Sequence, residues 1–487
     1  MISRLLLFLC LLKVDFVYSQ NAKLNTEIDN LKNDLSLKNA AWSIYVINNK
    51  TSAVIAEYNS NLSLVPASTL KIATTGAALG ILGADFVFET KLAYDGSFDA
   101  TTGFLNGNLY ITGGGDPTLE SQYFNNKNDA STLVEKWAII LKNKGIKKIE
   151  GAIVGDASMF ETNATPPEWI WGDIGNYYGA AASGLSYMDN KFTINFSSSA
   201  LGSATTINSI DPPIQDLQLI NKVTASGKTD SAFIYGAPYT YYRIADGTIP
   251  PYQKNYEVEA AMPDPTLFCA QALQGALKKN GIIVSEKATT VRILNDLTKY
   301  TNKKRTTLYT NTSPSLDKIV YWTNFKSLNL YAEHLLKYLS YKKTGLGKEA
   351  DGTAIVIDYW KKKGVDISGL YMQDGCGLAR ANTITTKTQA QLLQTIAADN
   401  TFTAIYNSLP VAGNPGHLAT FGNGTFAANN LRAKSGYLTR VRGYTGYVKN
   451  KKGELLSFAV LANNYTCTPV EMKKKLEKLL TAIATTE

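Results

Sequence analysis

The chain has 487 residues, 45% hydrophobic and 18% charged, with a formal charge of +9. At about 150 residues per domain this is room for roughly three bodies, and the balance excludes a disordered or fibrous chain. Four cysteines and two histidines supply no disulfide framework and no paired metal-ligand spacing.

Residues 1–19 read as an export signal. Arg4 gives the positive start, Leu5 to Leu12 the short apolar run, and Val17-Tyr18-Ser19 a small-residue end before Gln20. The run is short of the ~20 residues that a membrane anchor needs, and no later stretch reaches that length, so the expectation is an exported protein of the periplasm or cell envelope without a transmembrane anchor. Losing Arg4, Lys13 and Asp15 lowers the charge from +9 to +8. That excess suits acidic wall polymers or plain solubility. The lysines are scattered, so no nucleic-acid partner is expected. Cys269, Cys376 and Cys467 remain, enough for one bridge at most.

Residues 41–48 and 52–58 predict an antiparallel hairpin. Pro66 and Ser68 then open a helix that runs to Leu82. From 96 to about 300 the chain is rich in Asn, Gly, Thr and Tyr. It carries short strand patterns at 108–112, 151–155 and 231–235 and helical patterns only near 130–143 and 265–279. Ser327 is expected inside a helical segment. Residues 442–449 and 455–463 predict a second hairpin, and helix 469–484 closes the chain with Val470, Leu476, Leu479, Leu480 and Ile483 on its apolar face. The fold class expected is α+β. An N-plus-C-terminal domain (20–95 and 301–487) is interrupted by a mainly β insertion (96–188 and 257–300), inside which a third body (189–256) is nested.

With histidine so scarce, a nucleophile activated by lysine is the better candidate than a Ser-His-Asp triad built on His334 or His417. In Ser68-Thr69-Leu70-Lys71 the serine and lysine lie three apart, on one helical face. Ser315-Leu316-Asp317-Lys318 and Ser340-Tyr341-Lys342-Lys343 share that form, so the motif alone decides nothing. Order decides more: Ser327-Leu328-Asn329 and Lys434-Ser435-Gly436 follow Ser68 in sequence, giving the S-x-x-K, S-x-N and K-T/S-G trio of penicillin-interacting serine enzymes. Lys343-Thr344-Gly345 lacks a strand pattern and reads as a helix end.

Together with Gly113-Gly114-Gly115-Asp116-Pro117-Thr118-Leu119, Ser327 to Glu333, and Asp374 to Arg380 (DGCGLAR against the usual DGSGLSR), the trio resembles the class C low-molecular-mass penicillin-binding proteins of the penicillin-binding protein 4 type. These are exported D-alanyl-D-alanine carboxypeptidases/endopeptidases. The resemblance implies a serine β-lactamase/transpeptidase-like domain with a large insertion, peptidoglycan stem peptides as substrate, β-lactams as inhibitors, and neither cofactor nor metal. It implies Ser68 as nucleophile, Lys71 as its base, Ser327 as proton carrier, and Asn329 as a partner of substrate and Lys71. Lys434 and Ser435 would bind the terminal carboxylate, Gly436 and Tyr437 would border the substrate, and the N–H groups of Ser68 and Tyr437 would form the oxyanion hole. Arg380 joins the substrate-binding set. Asp173, in Trp171-Gly172-Asp173, would face the amine of the peptide's diamino acid, the alternative being a turn residue beside Gly172. Leu328, Ser435 and Cys376 depart from the commoner residues. A catalytically silent wall-binding protein and a β-lactamase or esterase on the same scaffold are the competing functions.

Overall fold

The computed structural model describes residues 21–125 and 131–487; the expected signal segment, with Cys10, lies outside the described residues. The chain divides into two compact units. Among the described residues, one holds 21–84, 320–328 and 353–487, and the other holds 85–125, 131–319 and 329–352. The second unit thus starts earlier than the expected insertion and takes in helix Asn329–Thr344.

The first unit is built on one antiparallel sheet. Labelled in chain order, its main elements are α1 (Ala22–Lys32), β1 (Ala41–Asn48), β2 (Val54–Tyr58), α2 (Lys71–Leu82), α3 (Thr386–Ala397), β3 (Arg432–Leu438), β4 (Val441–Lys449), β5 (Leu455–Asn463) and α4 (Pro469–Ala484). The strand order is β3-β4-β5-β1-β2, so the two predicted hairpins join at the centre, where Ala41 to Asn48 pair with Asn463 to Leu456. Seven of the eight residues of β1 are buried, as a central strand covered on both faces requires. One face buries Leu24, Ile28 and Leu31 of α1 and Met472, Leu476, Leu479, Leu480 and Ile483 of α4. On the other face, Ala390 of α3 packs against Tyr45 and Ile47.

Two expectations need correction. Val470 is 63% exposed: the apolar row runs through Met472, Leu476 and Leu480, and a residue two positions before Met472 points about 200° round the helix. Ser327 is not inside a helix. Helix Leu316–Phe325 ends before it, the next begins at Asn329, and Ser327 itself sits at φ +63°.

The second unit contains two mixed sheets, a five-stranded one ordered Thr289–Thr290, Ile153–Asp156, Leu109–Thr112, Glu89–Tyr94, Thr306–Thr312, and a four-stranded one. Helices Leu133–Asn143 and Pro265–Lys279 share their core through Trp137, Leu141, Leu273 and Leu277. Residues 191–261 form two three-stranded sheets around a separate core of Phe192, Ile194, Phe196, Val223, Ile234 and Val258. No helix among the described residues is long and apolar enough to cross a membrane.

Candidate active site

Helix α2 buries Lys71 at its first turn. Lys71 to Leu79 are all buried, and the helix is small or apolar around its whole circumference, the pattern of a helix at the centre of a domain. Gly76 faces Trp360, where a Cβ would stand 2.8 Å from the indole, and Trp360 Nε1 donates to Ala73 O at 2.9 Å. A 3-10 turn, Ala67–Leu70, precedes α2 and carries Ser68. Ala67 adopts φ +48°, a costly conformation for a residue with a Cβ and one that collects at functional sites.

Lys71 Nζ lies 3.1 Å from Ser68 Oγ and donates to Cys376 O at 2.8 Å. That carbonyl belongs to a loop organised from within. Asp374 Oδ1 accepts from Gly377 N (2.7 Å) and Asn382 Nδ2 (2.9 Å), and Oδ2 accepts from Ala379 N (2.6 Å). Thr74 Oγ1 of α2 donates to Gly375 O at 2.7 Å. Gly377, at φ +86°, stands where a Cβ would come 1.9 Å from Ala67 O, so only glycine lets the loop close on the turn that carries Ser68. Cys376 is fully buried as a free thiol, and Cys269 and Cys467 are free as well. Sequence reasoning gave Asp374 and Asn382 no role; an acid followed by Gly-x-Gly was the available signal for a loop wrapped around a carboxylate.

Lys434 is the second buried ammonium, donating to Ser327 Oγ at 2.8 Å and to Ser435 O at 2.7 Å. Burial, and then the charge of Lys71, hold its pKa well below the usual lysine value. It projects from β3, the sheet's outer strand. Ala433 donates its N–H away from β4, to Pro410 O, so by the strand period of two Ser435 and Tyr437 present theirs on that same open edge. At Gly436 a Cβ would meet Pro66 O at 2.5 Å and Ser68 N at 3.2 Å. Glycine is what lets the strand and the turn carrying Ser68 touch. Ser68, Lys71, Ser327, Lys434, Ser435 and Gly436 are thereby gathered in one unit. The Tyr437 side chain is half exposed and Arg380 is exposed.

The other expected residues lie in the second unit. Asn329 opens its helix and donates from Nδ2 to Tyr178 O at 2.8 Å. Asp173 is buried on the one-turn helix Trp171–Ile174 and accepts from Tyr178 Oη at 3.3 Å.

Residues 24–485 match the model of the D-Ala-D-Ala carboxypeptidase 3 (S13) family. The chain belongs to this family. It is accordingly a hydrolase of the serine D-Ala-D-Ala carboxypeptidase type. It is 27% identical to the D-alanyl-D-alanine carboxypeptidase of Actinomadura sp. (strain R39), over 91% of this chain and 81% of that one. The fold matches the crystal structure of penicillin binding protein 4 (dacB) from Haemophilus influenzae with a TM-score of 0.77 at 24% identity, covering 96% of this chain and 99% of the other. A structure of that protein complexed with a β-lactam gives 0.71 at 24% identity, over 91% and 95%.

The competing S-x-x-K segments have other occupations. Ser315 Oγ donates to Asp317 Oδ1, and Lys318 is exposed. Ser340 Oγ is buried and donates to Leu346 O. Lys343-Thr344-Gly345 is a helix end, with Gly345 at φ +83° donating to Tyr341 O. His334 is a buried imidazole between Gly115 O and Ser186 Oγ, at 2.8 Å from each.

Proposed function

We propose that the chain is an exported peptidoglycan hydrolase that cleaves the bond after a D-alanine in stem peptides and in cross-links through a Ser68 acyl-enzyme, and that β-lactams acylate the same serine. The contact of Lys71 Nζ with Ser68 Oγ, flanked by the Lys434–Ser327 pair, carries this reading. Burial, and then the charge of Lys71, hold the Lys434 pKa well below the usual lysine value, and by reciprocity a charge on Lys434 disfavours protonation of Lys71. Lys71 takes the Ser68 proton as Oγ attacks the carbonyl between the two D-alanines. The oxyanion forms at the N–H groups of Ser68 and Tyr437. The proton passes through Ser327 to the departing amine, and water then hydrolyses the ester.

Lys434 and Ser435 hold the terminal carboxylate, Asn329 holds the peptide backbone, and Arg380 and Asp173 act on the substrate farther out, Asp173 on the amine of the diamino acid. A carboxypeptidase and an endopeptidase cut after the same D-alanine and differ only in what lies beyond it, and the large inserted unit favours a polymer substrate. The β-lactam complex of the Haemophilus protein supports acylation by such drugs. The test offers the purified protein a stem pentapeptide and a cross-linked dimer, with a fluorescent penicillin in parallel. Released D-alanine, cleaved dimer and a long-lived adduct are the expected results. Fast turnover of the penicillin would make the chain a β-lactamase, and no label and no cleavage a silent wall binder.

A further inference from the structure

Thr69, beside Ser68, and Gln389, near the start of α3, are both buried. Thr69 Oγ1 donates to Pro66 O at 2.8 Å, and the Thr69 N–H lies farther from the same carbonyl, at 3.4 Å. A hydroxyl has one proton, here committed to Pro66, so its oxygen is left to accept from Gln389 Nε2 at 2.7 Å. The Thr69 methyl faces β4, where a Cβ on Gly443 would lie 3.4 Å from Cγ2. The side chain is thus fixed on both of its branches.

This chain of contacts bears on strained backbone. The Pro66 carbonyl belongs to the peptide plane about which Ala67 turns, and Ala67 stands at φ +48°. A left-handed residue with a Cβ persists only where its surroundings over-determine it. A change of φ at Ala67 swings the next residue, Ser68. Holding Pro66 O therefore holds the direction of Ser68 Oγ. Gln389 also carries a cost: among the described residues its Oε1 is buried without a hydrogen-bond partner, and an apolar side chain of the same length would not bear the desolvation of that oxygen.

We propose that Gln389 is a positioning residue for acylation: through the Thr69 hydroxyl it holds the Pro66 carbonyl, keeps Ala67 left-handed and so aims Ser68 Oγ at the substrate carbonyl. The inference rests on Ser68 as the nucleophile.

Three substitutions test it in the full chain. Gln389→Met drops the amide donor and the unmet oxygen, Thr69→Val keeps the shape and drops the hydroxyl, and Thr69→Ser keeps the hydroxyl. Stopped-flow acylation at several concentrations of a chromogenic β-lactam separates binding from the acylation step, with the melting temperature followed in parallel. The acylation step should fall about tenfold in Gln389→Met and in Thr69→Val, with the dissociation constant before acylation unchanged. Thr69→Ser should stay within about twofold of the parent, and the double variant should be no slower than Thr69→Val alone. Gln389→Met should melt no lower than the parent, and it serves alone if Thr69→Val does not fold. Parental acylation in Gln389→Met, additive single effects, or a Gln389→Met protein that melts well below the parent or does not fold would overturn the proposal. Mapping the adduct separates the two readings: label on Ser68 of the parent with an unslowed Gln389→Met overturns the positioning role alone, whereas a parent not labelled at Ser68 overturns the nucleophile and the positioning role together.

Discussion

Asp374→Asn changes one atom of a buried carboxylate that organises the loop beside the Ser68 turn. The two side chains have the same shape, but Asp374 accepts at both oxygens, from Gly377 N and Asn382 Nδ2 at one and from Ala379 N, 2.6 Å away, at the other. An amide can accept at one oxygen only. Its NH2 group must therefore face a donor, either Ala379 N or the Gly377 and Asn382 pair. Hydrogen bonds to a charged acceptor contribute about 1.5–3 kcal/mol, and the loop that loses one carries the Cys376 carbonyl to Lys71. If half or more of that loss is felt at Lys71, acylation slows about 3-fold to 100-fold at 1.36 kcal/mol per factor of ten. Comparison with thermal stability distinguishes this from general loosening. The Cys376 carbonyl holds Lys71 Nζ beside Ser68 Oγ, so its withdrawal should lower the acylation rate at temperatures where the variant stays folded. Stopped-flow acylation by a chromogenic β-lactam, with circular dichroism to confirm the fold, measures it. A variant that melts earlier but keeps the parental acylation rate would refute the positioning role.

Lys434→Gln should slow cleavage of substrates with and without a free terminal carboxylate, because it removes both a carboxylate ligand and the charge that opposes protonation of Lys71; an ester without the carboxylate cleaved at the parental rate would leave only the binding role. Asp173→Asn should cost about tenfold in kcat/KM for peptides with a free diamino-acid amine and leave benzylpenicillin acylation unchanged, while equal slowing of both would make Asp173 structural. His334 predicts a pH dependence of stability. Burial pushes its pKa from 6.5 to about 4, so between those values the unfolded chain binds the proton and the native one does not. Stability from this group is complete above pH 6.5 and falls by about 3 kcal/mol as the pH drops to 4. Urea unfolding of the parent and of His334→Gln measures it, and parallel pH curves for the two would contradict the assignment.

Local pattern carried much of the first unit. The run of β-formers at 41–48 and 455–463 and the caps of helix 469–484 are one-dimensional signals, and Thr468 forms the capping box with Glu471. The site was legible for a different reason. Ser68 and Lys71 meet within one turn, and the order of the three motifs separated them from the segments at Ser315 and Ser340. What pattern did not carry depends on contacts between distant segments. Hydropathy around Ser327 is continuous, and nothing local marks the left-handed residue that ends one helix and starts another. The work of Asp374 is read only when the loop is seen folded around its carboxylate. The need for Gly436 and Gly377 comes from backbone that arrives from residues 66–68.

The most direct measurement is the site of the penicillin adduct. Protein labelled with a fluorescent penicillin is digested and the modified peptide sequenced by mass spectrometry. The account predicts the label on Ser68, its loss together with D-alanine release in Ser68→Ala, and its retention in Ser315→Ala and Ser340→Ala. Label on Ser315 or Ser340, or an adduct and peptidase activity that survive Ser68→Ala, would contradict it.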